Sequence, residues 1–430
     1  MRNSRRTTAV AIAGAAAFAL VATGCQATPS APEANDDWKN EKVTLTVATF
    51  NDFGYTEELL AGFTELYPNI KVEHSIAETS NDARTNYFTK LGAGSGLSDV
   101  EAVEVDWFPE LMQYSDKLAD LTSDNVEGRW LDWKTAAATD SEGRLVAYGT
   151  DIGPEAICYR ADLFEAAGLP SDREEVAALL EGDWDNYFSV GEEFVANSDS
   201  AWFDSAGATY QGMVNQITNA YEDNDGTIIA ADNKEVKAIY DDVLEASSTL
   251  SAHLGQWSPD WTAGIASGAY ATMLCPGWML GVISGNAADV TGWDVANVFP
   301  NGGGNWGGSY LTVPAQGSHI QAATALADYL TAPEQQISAF VEAGTFPSQV
   351  AAYESEDLTG FVNEYFNSAP VGAIFTDRAK AVNPVPPFKG PNYFKVQDAL
   401  SNALSRVDVD KTDDAKTSWD KFLVDVKDLG

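Results

Sequence analysis

Tryptophans beside turn-forming and polar residues are the side chains of this chain best suited to binding chemistry. There are 12 of them, more than a core of this size needs, and the clearest groupings lie at 257–261, 275–278 and 305–308. A sugar ring has a flat apolar C–H face and a rim of hydroxyls, so its site needs aromatic platforms beside hydrogen-bonding side chains. This mixture predicts a sugar-binding site. Ordinary core packing is the alternative for any single tryptophan.

Motifs of catalysis and nucleotide binding are absent from the sequence or misplaced in it. It has no GxSxG elbow or Walker loop, and His74, His253 and His319 are scattered, without HExxH or CxxC spacing. Residues 302–307 match GxGxxG but lie between two predicted strands, whereas a dinucleotide fingerprint leads into a helix. We therefore expect no catalytic residue, metal or cofactor. A glycosidase is the alternative enzyme, because the many carboxylates could include two acids on one sugar-binding face.

Acidic residues dominate the charge of the chain. It has 64 Asp and Glu against 25 Lys and Arg, a formal net charge of −39. Such an excess repels nucleic acids and anionic lipid surfaces and disfavours a polyanionic ligand. We expect a monomer that binds no nucleic acid.

The first 25 residues are typical of an export signal. Three arginines precede an apolar run at 9–21, which is too short to span a membrane as a mature helix. The segment ends Leu-Val-Ala-Thr-Gly-Cys, which resembles the lipobox of bacterial lipoproteins and implies that Cys25 carries lipid. An ordinary secretion signal cut nearby is the alternative. Residues 26–42 have little to bury and are predicted to form a flexible tether.

Two further cysteines, Cys158 and Cys275, lie in apolar runs that are typical of buried strands. In an oxidising compartment this pair could form one disulfide. Two unpaired thiols in the core are the alternative.

Alternating β-formers and amphipathic segments open the body of the chain. The sequence predicts strands at 43–50, from Ile70 and at 99–105, with a helix between each pair. This alternation is typical of an open, mainly parallel sheet with helices on both faces. About 390 residues follow the tether, more than one hydrophobic core normally serves, so we expect an α/β fold with two lobes.

In residues 264–278 the sequence predicts a short helix that ends in glycine, then a strand and then a Gly-Trp turn. This arrangement resembles the family 1 extracellular solute-binding proteins of ABC transporters, and the similarity extends from Val43 to the end of the chain. In maltodextrin-binding members the tryptophan of this turn stacks on a sugar, which implies that role for Trp278. Residues 330–336 are also typical of the family. The segments most similar to actinobacterial cello-oligosaccharide binders are 153–160, 256–261 and 303–309.

The resemblance implies a two-lobed fold like that of the type II periplasmic binding proteins, each lobe an open, mainly parallel sheet flanked by helices and joined by a hinge. The expected boundaries are 43–152 and 309–345 for lobe one, and 153–308 and 346–430 for lobe two. The expected hinge crossings lie near 152–154, 307–308 and 344–347. Glycine and proline at these crossings suit backbone pivots.

The resemblance also implies a set of ligand contacts. Trp278 is the expected stacking platform, with Trp306 and Trp261 as further platforms. Polar contacts are expected on loops after strands, because open α/β sheets bind ligands outside the carboxyl ends of their strands. The remaining expected contacts are Trp257, Asn305, Asn51, Asp52, Asp106, Trp107 and Glu155, with Glu104 as an alternative acid. For the polar members of this set, a solvated turn or a structural ion pair is the alternative.

Together, these features predict a lipoprotein on the outer face of the cytoplasmic membrane that binds an oligosaccharide and does no chemistry. The expected ligand is small, β-linked and cellobiose-like, and the expected partners are the permease subunits of an ABC importer. The alternatives are a non-sugar solute such as a peptide or polyamine in the same fold, a surface adhesin, and a lipid-anchored glycosidase.

Overall fold

The structure is a computed structural model that describes residues 36–382 and 387–429. The chain divides into two compact units, residues 1–37 and 38–430, and the fold below is that of the second. The predicted export signal, Cys25 and residues 26–35 of the predicted tether lie outside the described residues. Within the described ranges, every helix is too short or too polar to cross a lipid bilayer.

Strands and helices alternate through the early part of the second unit, and helices dominate its end. The strands are β1 (Val43–Phe50), β2 (Ile70–Ala77), β3 (Val100–Glu104), β4 (Ala147–Gly149), β5 (Glu155–Arg160), β6 (Thr272–Pro276), β7 (Trp293–Ala296) and β8 (Ser309–Thr312). The helices are α1 (Glu57–Leu66), α2 (Ser80–Ala93), α3 (Phe108–Met112), α4 (Asp132–Ala137), α5 (Ala161–Ala166), α6 (Arg173–Leu180), α7 (Trp184–Val195), α8 (Ala206–Val214), α9 (Lys234–Leu250), α10 (Pro259–Ser267), α11 (Met279–Asn286), α12 (Ile320–Leu330), α13 (Pro333–Ala343), α14 (Glu356–Thr359), α15 (Val371–Ala381), α16 (Tyr393–Asp408) and α17 (Ala415–Lys427).

The larger sheet has five strands in the order β2-β1-β3-β8-β4. β1 runs parallel to β2 and β3, whereas β8 runs antiparallel to both of its neighbours, β3 and β4. Because β1 and β3 are parallel, their carboxyl ends meet at one edge of the sheet. The loops that follow Phe50 and Glu104 therefore lie close together.

The smaller sheet has three strands in the order β6-β5-β7. Both of its strand pairs are antiparallel, so the prediction of a mainly parallel sheet in each lobe is wrong for this one. The alternation seen early in the sequence does not continue here. Six helices, α5 to α10, follow β5, and no strand separates them in the described structure.

Local sequence signals set the first helix. The hydroxyl of Thr56 accepts a hydrogen bond from the backbone N–H of Leu59 at 3.1 Å, which satisfies one free donor of the first turn. Leu59, Leu60 and Phe63 are buried on one face of α1. Pro68 follows the helix, and its ring does not fit a helix interior.

The end of the predicted tether is ordered by packing. Trp38 lies in a short 3₁₀ turn, and its ring contacts Tyr67 with a centroid distance of 5.1 Å. The prediction that the tether extends to residue 42 is therefore wrong at this end. The Trp38 ring is apolar, so it packs against Tyr67 although the rest of the segment is polar.

A disulfide joins the central strand of the smaller sheet to one of its edge strands. Cys158 on β5 and Cys275 on β6 are bonded, with their Cα atoms 5.4 Å apart. Both side chains are fully buried. The bond fixes β6 one residue before the turn that carries Trp278.

Three chain crossings lie side by side between the two sheets. The backbone N–H of Ile152 donates to the carbonyl of Phe346 at 2.8 Å, and that of Trp306 donates to the carbonyl of Gly153 at 2.8 Å. A Cβ on Gly153 would lie 1.7 Å from the Trp306 carbonyl oxygen, so only glycine allows this close approach. The predicted crossing segments thus contact one another.

Candidate ligand-binding cleft

A cleft of about 410 Å³ opens where loops from both sheets meet. Its volume falls in the usual range for small-molecule sites. The lining residues are Phe50, Asn51, Asp52, Phe53, Thr79, Ser80, Asn81, Glu104, Asp106, Asp151, Gln256, Trp257, Trp278, Val282, Trp306, Gly307, Gly308, Ser309, Thr345 and Phe394. Six of the expected contact residues are in this set: Trp278, Trp306, Trp257, Asn51, Asp52 and Asp106.

Three tryptophans form the aromatic wall of the cleft, which we define as Trp257, Trp278 and Trp306. The rings of Trp257 and Trp278 are nearly parallel, at 25° with centroids 6.1 Å apart. Trp306 stands almost perpendicular to Trp278, at 86° and 5.6 Å. The indole N–H of Trp278 donates to the Trp306 carbonyl at 3.0 Å, which holds the first ring against the backbone of the second. The wall therefore presents flat apolar faces in two orientations.

Backbone strain occurs within this cleft. Trp257 has φ = +68° and Asn51 has φ = +48°, both in the left-handed region. Asparagine tolerates this conformation, but a bulky residue there is an outlier that the surrounding structure must hold. Trp257 is also 44% exposed, which is unusual for so large an apolar side chain. Trp257 therefore combines an unusual backbone conformation with an exposed aromatic face in the cleft.

Polar residues from the larger sheet form the opposite wall, which we define as Asn51, Asp52, Glu104 and Asp106. Asn51 and Asp52 follow β1, and a carboxylate oxygen of Asp52 accepts from the backbone N–H of Gly54 at 2.8 Å. Glu104 ends β3 and accepts from the backbone N–H of Asp106 at 2.8 Å. This polar wall thus collects acceptor groups at the carboxyl ends of two parallel strands.

Lys389, from the C-terminal part of the chain, neutralises Asp106. The two side chains form an ion pair in which the lysine is 10% exposed and the aspartate 13%. Burial disfavours the charged lysine, but the negative charges of Asp106, Tyr393 and Glu104, together with the hydrogen bond to Asp106, outweigh burial and raise the pKa of Lys389. Burial, and then the negative charge of Asp106, raises the pKa of Glu104 well above its ordinary value. Glu104 can therefore present a proton to a ligand oxygen, whereas the Asp106 carboxylate accepts.

Two tryptophans of the expected contact set, Trp261 and Trp107, lie behind the cleft rather than in it. Trp261 is 1% exposed, and its indole N–H donates to Asp204 at 2.8 Å. Its ring contacts Trp257 with a centroid distance of 5.2 Å, so it supports a platform instead of forming one. Trp107 is fully buried and donates to the hydroxyl of Ser80 at 3.0 Å. Both indoles are covered by protein, so the structure does not place the expected ligand contacts of Trp261 and Trp107 in the cleft.

Asn305 also has a structural position. Its carbonyl oxygen accepts from the backbone N–H of Gly153 at 3.0 Å, and its amide donates to the carbonyl of Gly307 at 3.0 Å. It is 6% exposed and does not line the cleft. The side chain braces two of the chain crossings, so the predicted ligand contact is corrected.

Glu155 is fully buried at the start of β5 and does not line the cleft. Neither carboxyl oxygen has a hydrogen-bond partner among the described residues. A Cβ on Gly304 would lie 2.3 Å from one of these oxygens, which shows how closely the backbone covers it. Burial raises the pKa of Glu155 well above its ordinary value, and the positive charge of Lys389 opposes this only in part. The predicted contact of Glu155 with a ligand is likewise corrected.

Several lining residues are missing from the sequence-based set. Phe50 and Phe53 flank the Asn51–Asp52 pair, and Gln256 precedes Trp257 in the chain, so proximity to predicted residues could have found them. Phe394 comes from α16, more than 80 residues after the nearest aromatic-wall residue, and no motif marks it. Only the folded chain brings it to the cleft.

The cleft combines acids, amides and aromatic faces without a basic lining residue among those described. Within the same described ranges, no group of three or more His, Cys, Asp or Glu side chains is placed to hold a metal ion. Such a surface suits a neutral, hydroxyl-rich ligand, whose O–H groups donate to carboxylates while its apolar faces lie on indoles.

Comparisons with known proteins identify the family and the fold of the chain. The model of the family described as "Bacterial extracellular solute-binding protein" matches residues 58–363, more than half of the chain. The arabinooligosaccharide-binding protein of Bacillus subtilis (strain 168) is 22% identical over 414 residues, which cover 90% of each chain. A solved "Extracellular solute-binding protein family 1" is 47% identical with a TM-score of 0.79, covering 90% of this chain and 99% of the other.

A more distant solved structure has the same fold. The ABC transporter associated binding protein from B. animalis subsp. lactis Bl-04, in complex with β-1,6-galactobiose, is 22% identical with a TM-score of 0.75. The match covers 91% of this chain and 99% of the other. The two-lobed α/β fold predicted from the sequence is therefore confirmed. The chain belongs to the bacterial extracellular solute-binding proteins of family 1.

Proposed function

We propose that this protein captures a small oligosaccharide in the cleft and delivers it to the permease subunits of an ABC importer. It binds the ligand and does no chemistry on it. The observation that carries the proposal is the aromatic wall of three tryptophans facing a polar wall of acids and an amide. The arabinooligosaccharide-binding relative and the galactobiose-bound structure support a sugar as the ligand class.

The finer proposal is a β-linked, cellobiose-like ligand. An extended β-1,4 chain exposes the flat faces of successive rings, and the nearly parallel rings of Trp257 and Trp278 offer two flat surfaces of similar orientation. Trp306 then borders the ligand from the side. A peptide or polyamine is the competing ligand class, since the acids alone would also attract cations.

Closure of two lobes around the ligand completes the proposal. The lobe boundaries are those expected from the sequence, and the contacting segments at 152–154, 305–308 and 344–347 act as the hinge. A ligand that touches both walls binds the closed form better than the open form, so it shifts the population toward closure. Lipid on Cys25 would keep the monomeric protein outside the cell and close to its permease.

Isothermal titration calorimetry tests the ligand class. The full chain, purified in a detergent without a sugar headgroup, is titrated with cellobiose, xylobiose, mannobiose, maltose, chitobiose and spermidine. We expect saturable one-to-one binding of a β-linked disaccharide. Trp278→Ala should then weaken binding by about 2 kcal/mol or more, roughly thirtyfold in Kd, because it removes the central platform.

The matched control is Trp133→Ala, which removes a partly buried tryptophan that does not line the cleft. It should leave the Kd unchanged. Binding of spermidine and of no sugar would show that the ligand is a cation. Absence of binding to every compound tested would refute the oligosaccharide proposal.

A further inference from the structure

A second cavity of about 380 Å³ continues the cleft. Six residues line both cavities: Asn81, Asp106, Gln256, Trp257, Trp306 and Phe394. Trp257 and Trp306 of the aromatic wall therefore stand at a junction. A sugar ring that lies against these two tryptophans would have open space on one side in the cleft and on the other side in the second cavity.

One face of α16 forms a wall of the second cavity. Gln397, Ser401 and Ser405 recur every four residues, and Asp398 and Asn402 repeat the same spacing. Residues at this spacing share one face of a helix. The face carries hydroxyl, amide and carboxylate groups, in contrast to the tryptophans of the first cavity.

Some polar groups that line the second cavity already form hydrogen bonds within the protein. The amide of Gln397 donates to Gln211 and its carbonyl oxygen accepts from Tyr221, so both ends are engaged. Asp408 also lines the cavity, but it accepts from the backbone of Ala206 at 2.8 Å and contacts His253 at 2.7 Å.

Asp398, Ser401 and Asn402 have weaker hydrogen bonds within the protein than Gln397 and Asp408. Asn402 and Asp398 are exposed and joined only by a long 3.5 Å hydrogen bond. Hydroxyls of a ligand can compete for these groups at little cost.

The charge of the second cavity restricts its ligand. Asp106, Asp398 and Asp408 line it; Asp106 pairs with Lys389 and Asp408 contacts His253, but the described lining residues of both cavities include no Lys, Arg or His. A uronate, sulfate or phosphate group would enter without a cationic partner and would lose its hydration. A neutral sugar avoids this cost.

We propose that the second cavity binds the additional units of a neutral oligosaccharide of three or more sugars, a proposal that rests on the oligosaccharide function above. One unit lies on the tryptophans, and the following units hydrogen-bond along the exposed face of α16. The ligand is then a longer chain than the disaccharide that the first cavity alone would accommodate.

Chain-length dependence tests this inference. The full chain is titrated by calorimetry with the disaccharide and the tetrasaccharide of the series that it binds. The tetrasaccharide should bind about tenfold more tightly, the gain of one or two net hydrogen bonds. Asn402→Trp places an indole in the second cavity and should abolish that gain, while the Kd of the disaccharide changes less than about twofold.

Val424→Trp is the matched control, since Val424 is 59% exposed on α17 and lines neither cavity. It should keep the full chain-length gain. Ser401→Phe, a second obstruction on the same face, should reproduce the Asn402→Trp result if the cavity rather than one side chain is responsible.

The outcomes separate the two proposals. Equal affinity for disaccharide and tetrasaccharide, or equal loss of both in Asn402→Trp, overturns the second-cavity inference alone. Preferred binding of a tetrasaccharide that ends in a uronate also overturns it. Absence of binding to every sugar overturns the oligosaccharide function and this inference together.

Discussion

The two walls of the cleft are held in place by different interactions. The aromatic wall is attached to the smaller sheet, where the Cys158–Cys275 disulfide joins β5 to β6 just before Trp278. The polar wall is attached to the larger sheet, where Asp106 is held by its ion pair with Lys389. A stacking platform needs a fixed orientation and no charge, so covalent and apolar anchoring suits it. The polar wall carries charged carboxylates that need cationic partners, and an ion pair such as Asp106–Lys389 can open, whereas a disulfide does not.

A second set of ion pairs lies beside the polar wall, outside the cleft. Glu110 on α3 pairs with Arg84 and with Lys395, the latter at 2.9 Å. Arg84 also lies over the ring of Phe394, 4.5 Å from its centroid. Three of the 25 basic residues thus meet acidic or aromatic partners beside the cleft. This side of the molecule is linked to the C-terminal part of the chain by charge rather than by a covalent bond.

Removal of the disulfide should have the largest effect on stability. The bond closes a loop with a sequence separation of 117 residues. In the chain-entropy model, a loop of that length makes the Cys158→Ala/Cys275→Ala double variant about 4–5 kcal/mol less stable toward unfolding. Guanidinium unfolding under non-reducing conditions measures the difference.

Wild-type protein unfolded with a reducing agent is the control, and it should approach the double variant. A loss below about 1 kcal/mol would show that hydrogen bonding between β5 and β6 holds the aromatic wall by itself.

Lys389→Met should have the next largest effect, acting on the polar wall. It leaves the Asp106 carboxylate nearly buried without its partner, which we expect to lower the free energy of unfolding by about 2–3 kcal/mol. Adding Asp106→Asn to this variant should recover most of the loss, because no uncompensated charge then remains. Urea unfolding of the single and double variants provides the measurement.

The matched control is Lys416→Met, which breaks the exposed Lys416–Asp420 pair on α17, where the side chains are 84% and 57% exposed. Surface pairs of this kind contribute about 0–1 kcal/mol, so little change is expected. Equal losses in the two lysine variants would mean that burial of the Asp106 pair is irrelevant.

Local patterns in the sequence predicted the parts of the fold that depend on neighbouring residues. β1 spans Val43–Phe50 as expected, and Thr56 caps the following helix. Both features follow from alternation and from a side chain three residues away, which the sequence displays directly. The antiparallel pairing of β5 with β6 and β7 was not predictable in this way, since it depends on contacts more than 100 residues apart.

The candidate site shows the same limit. Trp257 and Trp261 lie four residues apart in similar surroundings, yet one is 44% exposed and the other 1%. The difference arises because Asp204, distant in sequence, accepts from the Trp261 indole and anchors it inside. Lys389 was likewise missed, because no local pattern connects it to Asp106. Contact of the cleft residues with a ligand stays a prediction.

Glu155 should give the smallest effect, a pH dependence of stability on the side of the aromatic wall. Unlike Asp106, it has no paired cation among residues 36–382 and 387–429, and burial raises its pKa in the folded state. The folded protein therefore holds a proton on Glu155 that the unfolded chain releases above about pH 4.5. The stabilisation from this proton is complete below that pH, and it is lost as pH rises through the pKa of Glu155 in the folded state. The slope from one group is at most about 1.4 kcal/mol per pH unit. Glu155→Gln should remove this part of the slope, so that the stability of the variant exceeds that of wild type increasingly toward neutral pH.

Urea unfolding between pH 4 and 8 measures the difference, with the exposed Glu193→Gln on α7 as the control. Parallel stability curves for wild type and Glu155→Gln would mean that the carboxyl finds a partner or water that offsets its burial.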